Sequence, residues 1–271
     1  MKKERIDVLL VEQGFFDSRE KAKRAVMAGL VYDEHDRIDK PGTKIPVDAK
    51  IGVKGNTLKY VSRGGLKLEK AINQFEISLQ DKIMLDIGSS TGGFTDCALQ
   101  NGASYVYALD VGTNQLVWKL RNDPRVEAME QTNFRYATPD MFKNGLPDFA
   151  SIDVSFISLK LIFPPLKDIL KPKGEFVALI KPQFEAGKEQ VGKNGIIKDQ
   201  QVHKDVIEKV LGYAKENGFT LLNLSFSPIT GGQGNIEFLG HFKNEVSEEP
   251  KIIDINEVVT MAHTTFAKWG D

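Results

Sequence analysis

The stretch Leu85–Asp96, "LDIGSSTGGFTD", has the residue types of a ligand-binding turn: an acid at a strand end, then glycines and hydroxyls. Gly88, Gly93 and Thr95 fall where the phosphate-loop pattern G-x-x-x-x-G-K-[ST] needs them, but Phe94 stands in place of its lysine. The dinucleotide pattern G-x-G-x-x-G also fails, because Ser90 replaces the second glycine that lets a pyrophosphate approach. A ligand with an amino-acid tail and no phosphate suits the turn better, and S-adenosylmethionine is such a ligand. Its carboxylate can meet backbone N–H groups at Gly88, Ser89, Ser90, Thr91, Gly92 and Gly93, beside Phe94. Its ammonium can pair with Asp86. Its ribose diol needs an acceptor at the next strand end, and Asp110 stands there, 24 residues after Asp86. A nicotinamide cofactor would use the same acid, so the missing glycine and Asp86 carry the distinction. A plain tight turn is the bland alternative for the three glycines.

A second set of residues is scattered through the chain: Lys67 in "SRGGLKL", Asp153 in "SIDVSFIS", Lys181 in "LIKPQFEAGK" and Glu237 in "GNIEFLGHF". Asp153 and Lys181 close apolar runs, and Pro182 stops the second run because it has no N–H to donate. Phe156 follows in a position that reads as exposed. Taken singly, each of the four has an ordinary reading as a helix cap, a solvated strand end or an exposed strand residue. Together they form a set of two lysines and two acids.

The elements that must position these residues follow from the hydrophobic pattern. Residues 4–13 read as a short helix ended by Gly14, and a second helix follows with Asp17 or Ser18 as its cap and Gly29 as its stop. Residues 30–60 read as short strands and turns. "LKLEKAINQF" is an amphipathic helix with Leu68, Ala71, Ile72 and Phe75 inward. Beyond Lys82, strands alternate with helices: "KIMLDIG", "YVYALDVG", "VEAME", "FASIDVSF" and "EFVALIKP" are strand-like, with helical segments between them. "TLLNLSFSPI" and "NIEFLGHF" pair as a late hairpin, and a last helix covers 254–268. The pattern predicts an α/β fold, a doubly wound and mostly parallel seven-stranded sheet with an antiparallel hairpin, preceded by a small α+β domain. The expected division is 1–60 and 61–271, joined by a connection at about 54–64.

Composition narrows the classes. With 41% apolar and 27% charged residues in 271, the chain is an ordinary globular one. The single cysteine, Cys97, cannot form an internal disulfide, which points to the reducing cytoplasm. No apolar run approaches the ~18 residues of a membrane span. The four histidines (His35, His203, His241, His263) lack ligand spacing, so no metal is expected. The net charge of −1 conceals an asymmetry: residues 1–70 hold 16 Lys and Arg against 11 Asp and Glu, a net of +5, and the rest carries −6. A basic segment on an acidic body suits an anion-binding module joined to a catalytic one.

Residues 4–54, through "RIDVLLVEQG", "SREKAKRAVMAGLVY" and "KPGTKI", resemble the S4 RNA-binding module. One departure is the acidic turn at 33–36, "DEHD", which directs RNA to the helix face. The resemblance implies phosphate contacts from Arg5, Arg19, Lys21, Lys23, Arg24 and Arg63 and a salt-dependent affinity. The whole chain resembles the TlyA (haemolysin A) family through "VSRGGLKL", "DIGSSTGGFTD", "ALDVG", "IDVSFISL", "KPQFE" and "GNIEF" in order. That family couples an S4 module to an FtsJ-like methyltransferase. The resemblance implies methyl transfer from S-adenosylmethionine to a ribose 2′-hydroxyl of ribosomal RNA, a cytidine of 16S, 23S or both. It places the catalytic tetrad on Lys67, Asp153, Lys181 and Glu237, and the adenine end near "QTNFR", at Asn133.

The sugar hydroxyl is a weak nucleophile and needs a proton acceptor as attack develops. Lys181 in its neutral form is the expected base. Lys67 and a sulfonium disfavour its ammonium form, while Asp153 and Glu237 favour it. Two other classes compete. A non-catalytic ribosome-assembly factor has no need of both lysines and both acids. A membrane-lytic haemolysin needs a long basic amphipathic helix that the sequence lacks.

Overall fold

The computed structural model describes residues 3–267 apart from 14, 17, 34–35, 48, 50, 55–58, 193–194, 232–233 and 250. The N-terminal region comprises β1 (Lys3–Arg5), α1 (Ile6–Glu12), α2 (Arg19–Met27), β2 (Val31–Asp33), β3 (Asp36–Arg37), β4 (Lys44–Pro46) and β5 (Ile51–Val53). The first helix is shorter than its sequence suggests. Lys3–Arg5 leave it to pair antiparallel with β4, Glu4 opposite Ile45, and Ile6 opens the helix as a fully buried residue. Ser18 caps α2, accepting from the Lys21 N–H at 3.4 Å. Gly29 follows α2 at φ +70°, a conformation a side chain would strain. The Gly14 stop, the Asp17 cap and the tip of the acidic turn lie outside the described residues. Ile6, Leu9, Leu10, Ala22, Val26 and Val31 form a buried cluster of their own.

From residue 65 the chain runs α3 (Gly65–Gln74), β6 (Ile83–Ile87), α4 (Gly93–Gln100), β7 (Tyr105–Leu109), α5 (Trp118–Arg121), β8 (Val126–Met129) and β9 (Phe149–Ile152). It continues through α6 (Phe163–Ile169), β10 (Glu175–Ile180), α7 (Pro182–Glu185), α8 (Gln200–Glu216), β11 (Thr220–Phe226), β12 (Phe238–Lys243) and α9 (Ile255–Ala267). Among the described residues the strands form one seven-stranded sheet in the order β11-β12-β10-β9-β6-β7-β8. Pairing is parallel from β10 to β8, and β12 is antiparallel to both β10 and β11. This is a Rossmann-type, doubly wound sheet with the expected late hairpin.

Leu68, Ala71, Phe94, Cys97 and Val106 fill one face of the sheet. Phe163, Phe176, Ile207, Val210 and Phe242 fill the other. The inner strands therefore read as unbroken apolar runs. The β8–β9 crossover departs from expectation: it holds short 3₁₀ turns at Phe134–Tyr136 and Pro139–Met141 in place of an α-helix. Pro139 lacks the N–H an α-helix interior would use, and Gly145 at φ +108° turns the chain back toward β9. The order of strands reverses between β6 and β9, and a crevice opens at their C-terminal ends, as switch points in such sheets require.

Candidate active site

The four scattered residues meet at that crevice. Lys67 arrives on the first turn of α3, Asp153 follows β9, Lys181 follows β10 and Glu237 precedes β12. Lys67 Nζ donates to Glu237 Oε2 at 2.7 Å and lies 3.4 Å from Asp153 Oδ2. Lys181 Nζ lies 2.5 Å from Asp153 Oδ1 and donates to Ser155 Oγ at 3.2 Å. Asp153 thus bridges both lysines, and Glu237 anchors one. Lys67, Lys181 and Glu237 are buried, while the Asp153 side chain keeps 19% of its surface. Burial pushes the Lys67 ammonium down, but Asp153 and Glu237 together outweigh it and hold Lys67 above its usual value. Burial likewise opposes the Asp153 carboxylate, and Lys67 and Lys181 reverse that and hold it below the usual range.

The glycine turn lies beside this network. Gly88 has φ +84°, and a Cβ there would stand 2.5 Å from the Asp153 carbonyl oxygen, so only glycine lets the two strand ends approach. Gly92 also has positive φ, and Gly93 packs against Ser62 and the start of α3. Ser90 takes a left-handed conformation (φ +48°), and its N–H donates to Asp110 Oδ2 at 2.8 Å. Asp110 Oδ1 accepts from the Gly112 N–H at 2.7 Å, so this acid ties the first turn to the second. Ser89 and Phe94 are buried, the latter in the core rather than in a phosphate cradle.

Asp86 is enclosed beneath the turn. Its oxygens accept from Thr95 Oγ1 at 2.7 Å and Ser151 Oγ at 3.1 Å, and none of its surface is exposed. Burial pushes its carboxyl up to about 7, with both hydroxyls pulling the other way. The expected pairing partner of the ligand's ammonium is therefore held in this structure by two hydroxyls of the fold.

Three cavities adjoin. One of about 460 Å³ runs between the ends of β6 and β7 and is lined by Ile87, Leu109, Asp110, Asn133, Phe134 and Ile157. A second, about 650 Å³, holds Asp153, Lys181, Glu237, Phe156 and Phe184. The third, about 500 Å³, extends from Lys67 past Arg63 and Thr91 to Ser18 and Lys21 of the N-terminal region. All three share Gly88, Ser90 and Asp153. Asn133 Oδ1 accepts from the Arg135 N–H at 3.2 Å and so shapes the far wall of the first cavity.

The basic candidates divide. Lys21, Arg24 and Arg19 are exposed on α2, Lys23 pairs with Glu20 at 2.7 Å, and Arg63 is half-buried along two of the cavities. Arg5 and Arg19 both bind the buried Asp7. The described histidines serve structure: His241 bonds Glu175 at 3.0 Å and stacks on Phe75, and His203 bonds His263 at 2.9 Å. Among the described residues no cluster could hold a metal, and no helix is long and apolar enough to cross a membrane.

Several site residues escaped the sequence reading. Ser155 supports Lys181, and Gln183 Nε2 donates to Glu237 Oε1 at 3.3 Å. Each stands two residues beyond a tetrad member, in the segment that follows a strand, which is the signal that could have found them. Ser151 and Thr95 hold Asp86, and Glu185 joins the two loops, accepting from Ser158 Oγ and the Leu159 N–H, both at 2.7 Å. Phe156, 90% exposed at φ +62°, packs beside Phe184 with ring centroids 5.0 Å apart.

Residues 60–244 match the model of the FtsJ-like methyltransferase family, and residues 4–51 match the S4 domain. YqxC of Bacillus subtilis is 60% identical over 268 residues, covering 97% of this chain and 95% of that one. The 16S/23S rRNA (cytidine-2′-O)-methyltransferase TlyA of Mycobacterium tuberculosis is 39% identical over 235 residues, covering 86% and 87% of the two chains. A solved structure of a Streptococcus thermophilus relative superposes with a TM-score of 0.80 at 58% identity, covering 99% and 98% of the chains. The chain belongs to the TlyA/haemolysin A family of rRNA methyltransferases, in which an S4 domain precedes an FtsJ-like methyltransferase.

Proposed function

We propose that this protein transfers a methyl group from S-adenosylmethionine to the 2′-hydroxyl of a cytidine in ribosomal RNA, 16S, 23S or both. The observation that carries the reading is the joined ion-pair network of Lys67, Asp153, Lys181 and Glu237, set where the three cavities meet. We assign residues 1–60 to the RNA-binding module and 61–271 to the methyltransferase, with rRNA or a ribosomal subunit as partner.

The 460 Å³ cavity fits the cofactor's adenosine: its walls are mostly apolar, with Asp110 and Asn133 as polar ends. Asp110 is the acceptor for the ribose, and the 88–93 turn, with no basic side chain of its own, receives the amino-acid tail. S-adenosylmethionine supplies an electrophilic methyl group on a sulfonium. Asp86 acts beneath, as the brace of Thr95 and Ser151. Gly88 and Ser90 border both this cavity and the tetrad, so the two reactants meet there.

Lys67 is a fixed cation, compensated by two carboxylates, and suits an adjacent RNA phosphate or the target ribose. Lys181 shares one carboxylate oxygen and one hydroxyl, and in its neutral amine form, with its own proton already given up to solvent, it is the group that accepts the 2′-hydroxyl proton. Asp153 orients both amines, and Glu237 holds Lys67. Phe156 offers an exposed ring at the mouth, suited to stacking on the target base. Proximity of this kind contributes several kcal/mol, at most about 7–11.

The test is Lys181→Ala. General-base loss should lower turnover on rRNA by about 10²–10⁴-fold while S-adenosylmethionine affinity stays within a few-fold. Wild-type-like turnover in the variant would refute the assignment of the base. Mapping of 2′-O-methyls on rRNA from a deletion strain identifies the nucleotide.

A further inference from the structure

The N-terminal basic surface rests on a carboxylate that methyl transfer does not use. Asp7, at the start of α1, has no exposed surface. Arg5 meets it side-on, Nε to Oδ1 at 2.9 Å and Nη2 to Oδ2 at 3.1 Å. Arg19, at the start of α2, donates from Nη2 to the same Oδ2 at 2.9 Å. One buried anion therefore holds two guanidiniums from separate elements, and the cluster keeps a net positive charge. Its arginines remain 41% and 52% exposed.

The donor count is uneven in a useful way. Of five N–H donors on each guanidinium, Arg5 commits two to Asp7 and Arg19 commits one. Among the described residues no other acceptor takes the remaining donors, which leaves them to an anion. The Lys40–Lys44 turn lies under this cluster: Lys44 stands opposite Arg5 across β1–β4, and a Cβ added to Gly42 would meet the Arg5 guanidinium at 3.8 Å, so the turn backbone lies against it. A long basic side chain that binds RNA from solvent must first be ordered, and here that ordering is already done by the fold.

We propose that Asp7 is a positioning residue that fixes Arg5 and Arg19 as one two-guanidinium clamp for a single backbone phosphate of the RNA. The proposal rests on the reading of residues 1–60 as an RNA-binding module. It inverts the simple electrostatic expectation. Removing an acid from a basic surface should strengthen RNA binding, whereas removing Asp7 releases the clamp and weakens it.

The experiment uses the full chain, with deproteinised 16S and 23S rRNA and a double-stranded RNA oligonucleotide as probes. Asp7→Asn is compared with Glu12→Gln, an exposed acid on the same helix that changes charge equally. The expected result is about 5- to 20-fold weaker binding for Asp7→Asn, no weakening for Glu12→Gln, and a salt dependence of log Kd shallower by about one contact for Asp7→Asn. Arg5→Lys/Arg19→Lys keeps the charge but not the fork, and it should weaken binding alike even if Asp7→Asn fails to fold. Asp7→Asn binding as tightly as Glu12→Gln with an unchanged salt slope, or a charge-preserving double variant that binds like the parent, overturns the clamp. Arg5→Ala and Arg19→Ala separate the two failures: if neither lowers affinity, the RNA-binding reading of this surface falls as well.

Discussion

Lys67→Met tests whether the tetrad is a site or a structural ion pair. Lys67 Nζ lies 2.7 Å from Glu237 and 3.4 Å from Asp153, with 9% of the side chain exposed. At an effective dielectric of about 20, those distances correspond to gross attractions of about 6 and about 5 kcal/mol. Desolvation of the three groups offsets most of this, and breaking such a pair costs about 3–5 kcal/mol because a charge is left buried alone. Asp153 retains Lys181, so the burden falls on Glu237, which is 2% exposed. At about 2–4 °C per kcal/mol, Tm should fall by roughly 6–20 °C. The lysine is held above its usual value and Asp153 below its own. In the parent the Lys67 contribution is fully present below the unfolded lysine value of about 10.5 and fades only above it. The Asp153 contribution is present above its unfolded value of about 4 and is lost as pH falls through the lower folded value. The parent pair is therefore insensitive to pH near neutrality. Lys67→Met/Glu237→Gln removes both charges and should recover most of the stability, read by urea unfolding, yet remain without methyl transfer. A double variant as unstable as the single would show that the two residues are not coupled. One that is stable and active would remove Lys67 and Glu237 from the chemistry.

Three further outcomes follow from the same geometry. Asp86 is raised to about 7 by burial, so the parent should lose stability as pH rises from about 4 to 7; Asp86→Asn, which does not ionise, should start about 1 kcal/mol less stable at pH 5 and overtake the parent at pH 8, by about 2 kcal/mol. Parallel pH–stability curves would mean the carboxyl is ordinary. Gly88→Ala places a Cβ 2.5 Å from the Asp153 carbonyl at φ +84°, so it should cost about 1–2 kcal/mol of backbone strain and lower cofactor affinity at least ten-fold by calorimetry; unchanged affinity would separate the turn from the cofactor. Phe156→Ala removes a ring that is 90% exposed, so stability should change by under about 0.5 kcal/mol while rRNA turnover drops about 5- to 150-fold, the value of one base stack. Full turnover by the variant would exclude the stacking role.

The sequence alone determined the architecture, since alternation of apolar runs with helical periods beyond Lys82 permits little besides a doubly wound sheet. It also marked the strand ends: Asp86, Asp110, Asp153 and Lys181 each close an apolar run, and strand ends are where such sheets place their ligands. Its errors were local. Glu4 and Arg5 were read as helix because nothing nearby shows that a strand 39 residues on, Arg5 opposite Lys44, competes for their backbone. The crossover after β8 was read as helical although its proline and glycine favour short turns. What only the tertiary structure decided was which charges face each other. Lys67 and Glu237 are 170 residues apart, and no periodicity reports their 2.7 Å contact. The same holds for the enclosure of Asp86 by Thr95 and Ser151. Hydrophobic pattern is a property of neighbours along the chain and survives in the sequence. Desolvation and ion pairing depend on neighbours in space, and here the sheet order at β6 and β9 set them.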